Sequence, residues 1–293
     1  METLTTTHPT RRAFVKTAAL AGIGGAYFGG AHLALRDDRW TPNRSFWVWR
    51  GREPVGEPLR GEREADLAIV GGGVTGLSAA LHAILRAPAT RVVLLEAEYA
   101  GYGATGRSGG VLGNGTEMGT PEGTGDNVSF VIDLIDRFGI ACDLERSPQT
   151  QLDPYRYAVG LKRVVQGLGT KVYEGSRVLS IDDGSVVTLR GDGFVVRASK
   201  VFIATNGYTP RLGIAASRIF PAHTAAAVTG PLPPEILRDI PDSILVMTSG
   251  EMYMWGRKAP GGRVLVGAGA RYFYDNGLNY KGDALLFPAL RRH

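Results

Sequence analysis

The sequence predicts an α/β fold that opens on a parallel sheet and continues into antiparallel strands, and three observations carry that expectation. The apolar run Leu67-Ala68-Ile69-Val70 leads directly into Gly71-x-Gly73-x-x-Gly76. Apolar residues then recur at helical spacing, at Val74, Leu77, Leu81, Ile84 and Leu85, before a second run from Arg91 to Leu95 that ends in Glu96. Past Arg218 that rhythm gives way to short strand-forming runs separated by Pro and Gly. Strand, glycine turn, helix and a second strand closing on an acid about 20 residues later together make a Rossmann-like dinucleotide-binding unit.

Each part of the unit has a physical task. Gly71 allows the tight turn, Gly73 lets the main chain approach a pyrophosphate, and Gly76 permits close packing of helix on strand. The free N–H groups and positive dipole end of the helix then face the phosphates. Glu96 stands where a carboxylate accepts hydrogen bonds from an adenosine ribose, and its charge favours a free 2′-hydroxyl over a 2′-phosphate. Glycine makes up 41 of 293 residues, so the fingerprint draws its weight from the strand before it, the helix after it and the acid beyond. These residues alone leave open which dinucleotide is bound, and an NAD-dependent dehydrogenase satisfies them.

After Glu96 comes Gly101-Tyr102-Gly103-Ala104-Thr105-Gly106-Arg107-Ser108-Gly109-Gly110. Its small residues allow close backbone approach, and Thr105 and Ser108 carry hydroxyl donors for a phosphate or a ring. The loop resembles that of FAD-dependent oxidoreductases of the D-amino-acid oxidase family, in the glutamylputrescine and amine oxidase-like branch. There G-x-G-A-S-G-R-N-G-G follows the ribose-binding acid; here Thr105 stands for Ser and Ser108 for Asn. The resemblance implies FAD as cofactor, a GR2-type FAD-binding domain, and a place for Ala104, Thr105, Gly106, Arg107, Ser108, Gly109 and Gly110 beside pyrophosphate and isoalloxazine. It also implies that Val178 reads the adenine through its backbone and that Ala204, Thr205 and Gly207 turn near the pyrophosphate. The activity implied is oxidation of an amine or amino acid, hydride passing to flavin N5 and electrons onward to oxygen or a quinone-type acceptor. In the family an aromatic and a cation from antiparallel strands orient the substrate. Tyr253 and Arg257 are the catalytic candidates on that basis, with Arg271 and Tyr272 behind them.

Between these motifs, apolar spacing suggests a helix from Phe130 to Phe138 ended by Gly139, and another from Tyr157 to Gln166 closed by Gly167 and Gly169. Short strands are expected at 171–173, 177–181, 185–189 and 194–197, then a buried parallel strand at 200–205 returning to the sheet. Antiparallel strands are expected at 221–230, 243–248, 251–255 and 263–269, with Pro260-Gly261-Gly262 as a hairpin turn, and a helix near Lys281. The organisation expected is a signal at 1–35, a linker at 36–64, an FAD-binding domain from 65–110 and 155–213, and an antiparallel-sheet substrate domain from 111–154 and 214–293. Members of the family run longer. The resemblance therefore implies a substrate domain incomplete at its C-terminal side, completed by a partner chain or oligomer, or else an inactive fragment or flavin-binding subunit.

Thr10-Arg11-Arg12-Ala13-Phe14-Val15-Lys16 precedes an uncharged stretch from Thr17 to Leu35. This is a twin-arginine export pattern, and Gly22, Gly24, Gly25, Gly29 and Gly30 make the stretch a poor membrane-spanning helix. Export of the folded, cofactor-loaded chain by the twin-arginine translocase of a prokaryote is expected. No small-x-small cleavage site stands out, so a membrane-tethered form stays open. Arg11, Arg12 and Lys16 supply part of the net charge of +5, and the remaining cations form no stripe with interleaved aromatics, which argues against nucleic acid. Cys142 is the sole cysteine, expected to be a buried structural thiol, and the five histidines lack metal-ligand spacing. Trp40, Trp47 and Trp49 in the linker are expected to cover an apolar patch of the domain that follows.

Overall fold

A computed structural model describes residues 45–114, 126–146, 149–219, 222–249 and 252–272. The first element, α1 (Phe46–Trp49), is capped by Ser45, whose hydroxyl accepts from the Trp47 N–H. It falls where an extended linker was expected. Phe46 and Trp47 are buried against Tyr155 and Val159, so the lead-in packs as part of the core. Trp49 does not cover an apolar patch as expected: it is 61% exposed, with the Arg263 guanidinium 5.5 Å from its ring. Trp40 lies outside the described residues.

The first sheet contains β1 (Gly61–Val70), β2 (Val92–Leu95), β3 (Lys171–Tyr173), β4 (Val178–Asp182), β5 (Val187–Gly191) and β6 (Phe194–Ile203), in the order β3-β2-β1-β6-β5-β4. β3, β2, β1 and β6 are parallel, and β6, β5 and β4 are antiparallel. Val70 pairs with Leu95 on one side and Ile203 on the other, so three strands end level. Gly71, Glu96 and Ala204 leave the sheet together there.

β1 begins six residues before the apolar run, because Gly61 to Ala65 pair with Phe194 to Ala198. The residues Glu62, Arg63 and Glu64 carry no strand periodicity, and pairing with β6 accounts for their conformation. The two strands expected at 194–197 and 200–205 are one. β6 is also less buried than expected: Val196 and Ala198 face the core, while Arg197, Ser199 and Lys200 are exposed and Phe202 is 40% exposed. Arg197 pairs with Glu62 at 2.6 Å on that outer face.

α2 (Val74–Arg86) lays Leu77, Ala80, Leu81 and Ile84 on Ile69, Val92 and Leu94. α3 (Asn127–Phe138) is capped by Asp126 on the Ser129 N–H and ends at Gly139, whose φ of 62° is left-handed. α4 (Pro154–Gly167) starts three residues before expectation, because Asp153 accepts from the N–H groups of Tyr155 and Arg156 and Pro154 fits the first helical position. Leu134, Ile135, Ile140, Cys142 and Leu152 share one core with α2 and α4. The described part of 111–154 packs on the dinucleotide half through this core, while Gln151 Nε2 donates to Asp242 O and Gln149 Oε1 accepts from the Ile244 N–H. Its apolar face finds the surface of α2 and α4.

Burial raises the Cys142 thiol to about 11, helped by Asp143 and Asp153. The folded chain holds the proton more tightly than the unfolded one, so this thiol's contribution to stability is present below about pH 9 and declines as pH rises toward 11. Cys142 is expected to resist a disulfide reagent at pH 8 in the native protein and to react at once in denaturant, read by absorbance of the released thiolate.

The second sheet, β7 (Ala222–Val228), β8 (Leu245–Ser249), β9 (Met252–Ala259) and β10 (Arg263–Tyr272), has the order β7-β10-β9-β8 and is antiparallel throughout. The expected hairpin at Pro260 to Gly262 joins Ala259 to its partner Arg263. Gly261 and Gly262 take φ of 80° and 68°, which suit glycine. α5 (Pro234–Asp239), not anticipated from the sequence, bridges β7 and β8 in the chain. Among the described residues no helix is long and apolar enough to cross a membrane, and no His, Cys, Asp or Glu cluster could hold a metal. The twin-arginine segment and the helix expected near Lys281 lie outside the described residues.

Candidate functional site

The strand order runs outward in both directions from β1, and ligands of open α/β sheets lie at that reversal, outside the carboxyl ends of the strands. Gly71 leaves β1 with φ 113°, its N–H bonded to Leu95 O and the Ala204 N–H bonded to Val70 O, both at 2.8 Å. A Cβ at Gly71 would lie 2.5 Å from Ala204 O, and one at Gly76 would fall inside the carbonyl oxygen of Gly71. These two glycines hold turn, helix and β6 in contact. At Gly73 a Cβ would meet only Thr105 Oγ1, 3.1 Å away.

No side chain of the cap residue Gly73 closes the N-terminus of α2. Thr105 Oγ1 accepts from the Val74 N–H at 3.0 Å, which directs the hydroxyl hydrogen of Thr105 elsewhere. A helix N-terminus with small residues around it suits an anion. Beside it Glu96 accepts from the Gly72 N–H at 2.6 Å and from the Glu98 N–H at 2.9 Å. Its burial raises the carboxyl above its usual range, outweighing those two hydrogen bonds. The residue is half-buried and each carboxylate oxygen takes one backbone N–H, so the carboxylate braces the turn with lone pairs to spare. The Ser176 N–H bonds to Glu96 O at 2.8 Å, which brings Val178, buried at the start of β4, to the same end of the sheet. Gly207 sits in the 3-10 turn Asn206–Leu212 directly after Ala204 and Thr205, and the Thr205 hydroxyl meets that of Thr209 at 2.9 Å.

The 101–110 loop folds around a 3-10 turn, Thr105–Arg107, preceded by Ala104. The Gly106 N–H bonds to Gly101 O at 3.0 Å, and a Cβ on Gly106 would overlap that oxygen. Arg107 Nε donates to Tyr102 O at 2.7 Å with its guanidinium 4.7 Å from the Tyr102 ring. Gly110 has φ 70° and its carbonyl accepts from the Leu152 N–H at 2.8 Å, leading the chain back toward α4.

The catalytic candidates fare differently. Arg257 is 3% exposed; Nη1 donates to Gly109 O and Gly110 O, each at 3.0 Å, and Nε to Lys258 O at 3.0 Å. Nε and Nη1 of the guanidinium are thus engaged with main-chain carbonyls, two of them in the 101–110 loop. Tyr253 pairs with Thr248 along β9, while Arg271 and Tyr272 pair with His223 and Ala222 along β10; their side chains lie outside the described residues. Ser45, Trp47 and Trp255, which sequence reasoning missed, also touch the loop. The Ser45 hydroxyl donates to Gly106 O, Trp47 Nε1 donates to Ser108 O at 2.8 Å, and a Cβ on Gly109 would come 2.8 Å from the Trp255 ring. Trp255 and Arg257 alternate on one strand, and that period-two spacing was the available signal.

A sheet reversing at β1, a helix N-terminus that starts at a glycine, an acid on the neighbouring strand and a second antiparallel sheet define a dinucleotide-dependent α/β protein. The chain belongs to the DAO family of FAD dependent oxidoreductases, whose model matches residues 66–149 and 145–292. It is similar to a probable oxidoreductase, OrdL, of Rhizobium meliloti, 26% identical over 296 residues that cover 76% of this chain and 68% of that protein. A 49-residue stretch is 55% identical to gamma-glutamylputrescine oxidoreductase of Escherichia coli, covering 17% of this chain and 11% of that one. Its fold is similar to glycine oxidase from Geobacillus kaustophilus, with a TM-score of 0.55, 20% identity and 72% of each chain covered. FAD is the family's cofactor, which answers the choice between dinucleotides left open by the fingerprint.

Proposed function

We propose that this oxidoreductase acts on an amine or amino acid, with FAD laid across the level ends of β1, β2 and β6. One observation supports the placement: Gly71, Gly73 and Gly76, the start of α2, Glu96 and Thr105 converge where Val70, Leu95 and Ile203 end. The donor set suits the cofactor. Helix amides and the Thr105 hydroxyl suit the pyrophosphate, Glu96 the adenosine ribose, Val178 the adenine, and Ala104 through Gly110 with Ala204 and Gly207 the remaining length. When bound, FAD supplies the acceptor for the hydride that leaves the amine-bearing carbon, and water hydrolyses the resulting imine. The chain's own residues bind and orient. The second sheet stands on the substrate side, where Tyr253 and Arg257, with Arg271 and Tyr272 behind them, are the candidates for substrate contact. The amine reading is supported by the family and by the likeness of 49 residues to a protein named for gamma-glutamylputrescine.

The test is the visible spectrum of the purified protein before and after heat release of the flavin, followed by anaerobic mixing with primary amines, secondary amines and amino acids. Bleaching of bound flavin by one of these classes is expected. Flavin that dithionite bleaches and no amine or amino acid does would overturn the substrate class while leaving the cofactor in place. Glu96→Gln is expected to weaken FAD binding by roughly 10- to 100-fold, since a charge-assisted bond to the ribose and one backbone acceptor are lost together. Titration of the stripped protein with FAD measures it.

We also propose export in the folded state by the twin-arginine route, supported by Arg11-Arg12 and the uncharged stretch after Lys16. Replacing both arginines by lysine is expected to leave the protein in the cytoplasm, as read by cell fractionation. Undiminished export of that variant would remove the proposal.

A further inference from the structure

We propose that Arg257, with Trp47 and Ser45, is a positioning clamp that grips the carbonyl side of the 106–110 loop, so that docking of the second sheet sets where the loop meets the flavin. This rests on the reading that the loop lies against FAD. Four carbonyls in a row of five residues are held from outside the dinucleotide unit. Gly106 O takes the Ser45 hydroxyl, Ser108 O takes Trp47 Nε1 at 2.8 Å, and Gly109 O and Gly110 O share Arg257 Nη1 at 3.0 Å. The three side chains form one unit, because the Arg257 guanidinium lies 5.5 Å from the Trp47 ring and Ser45 caps the turn that carries Trp47.

The grip is buried. Ser45, Trp47 and Arg257 are all under a tenth exposed, and burial lowers the Arg257 pKa. A charge is desolvated there only where its hydrogen bonds are made, and carbonyl oxygens provide them. Trp255, two residues before Arg257 on the same face of β9, closes on Gly109 and also lies across Gly267 of β10. Glycine at 109 and 267 is what admits the indole. Holding these carbonyls on one side restrains the peptide planes they share with the N–H groups of the following residues. The residues that hold the loop thus come from the lead-in and from the second sheet.

The experiment uses the full chain loaded with FAD, comparing wild type with Arg257→Met, Arg257→Lys and Trp47→Phe. At saturating FAD the readouts are the fine structure of the bound-flavin spectrum and the flavin reduction potential, which a loss of stability alone does not move. Arg257→Met is expected to bind FAD roughly tenfold or more weakly, with a shifted spectrum and potential, and Arg257→Lys to recover part of both. Trp47→Phe, which keeps the aromatic packing and removes one hydrogen bond, is expected to shift the spectrum in the same direction by less. It serves as the decisive variant if Arg257→Met does not fold. Unchanged spectrum and potential in the folded variants would overturn the clamp. Wild-type protein that takes up no FAD would overturn the site reading beneath it, a result distinguishable because it precedes any substitution.

Discussion

Gly76→Ala is expected to abolish stable FAD binding and to destabilise the fold by about 3 kcal/mol or more. The added methyl would fall inside Gly71 O, and Ile69 Cγ2 stands at 3.2 Å on the other side. The obstacle is backbone at the very turn that shapes the site, so no side-chain rotation relieves it. Either α2 slides away from β1 or the turn opens, and both displace Glu96 through its bond to the Gly72 N–H. Gly103→Ala is the internal control. It lies in the same glycine-rich region with no atom within 4 Å of its Cβ position, and should change stability by less than about 0.5 kcal/mol. Thermal melts and FAD titrations of the two variants measure the contrast. Equal behaviour would mean that helix and turn are not packed as described.

Glu174→Leu is expected to cost about 3–5 kcal/mol, because it takes the hydrogen-bonded carboxylate from a buried cation and leaves it Glu53 at 4.0 Å. Glu174 is 1% exposed and Oε1 takes Lys162 Nζ at 3.1 Å. The same carboxylate accepts from the Ala100 N–H at 2.8 Å and from the Gly56 N–H. It therefore ties α4, the approach to the 101–110 loop and the lead-in to one point. Lys162→Met should cost less, since the carboxylate keeps its two backbone donors and the methionine stem fills the space of the lysine. Urea unfolding of both single variants and the double variant gives the ranking and the coupling energy. A Glu174→Leu loss below about 1 kcal/mol would show that the pair is solvated.

Much of the dinucleotide site was legible in order along the chain. Gly71 to Gly76, Glu96 and the 101–110 loop lie within one short span, and their spacing is dictated by local geometry: a turn, a helix length, a strand end. The antiparallel strands were also legible in number and approximate position, with the hairpin at Pro260 to Gly262. The extent of β1 and the unity of β6 were not, because Glu62, Arg63, Glu64 and the stretch Arg197 to Lys200 are polar and become strand only through each other. α1 was hidden for a related reason. A four-residue helix has no periodicity to read, and Ser45 and Trp47 gain their meaning from Gly106 and Ser108, 61 residues away.

Arg257 shows where the division falls. From the sequence it was a cation on a strand, suited to a substrate carboxylate, and nothing nearby in the chain argued otherwise. Its partners, Gly109 O and Gly110 O, lie 148 and 147 residues earlier, and only folding brings that loop to β9. The sequence by itself determined the class of site, because glycines without Cβ and an acid at fixed spacing are local requirements of cofactor geometry. Tertiary structure alone decided which side chains hold that site in place, because hydrogen bonds to carbonyl oxygens leave no residue type to recognise in the partner.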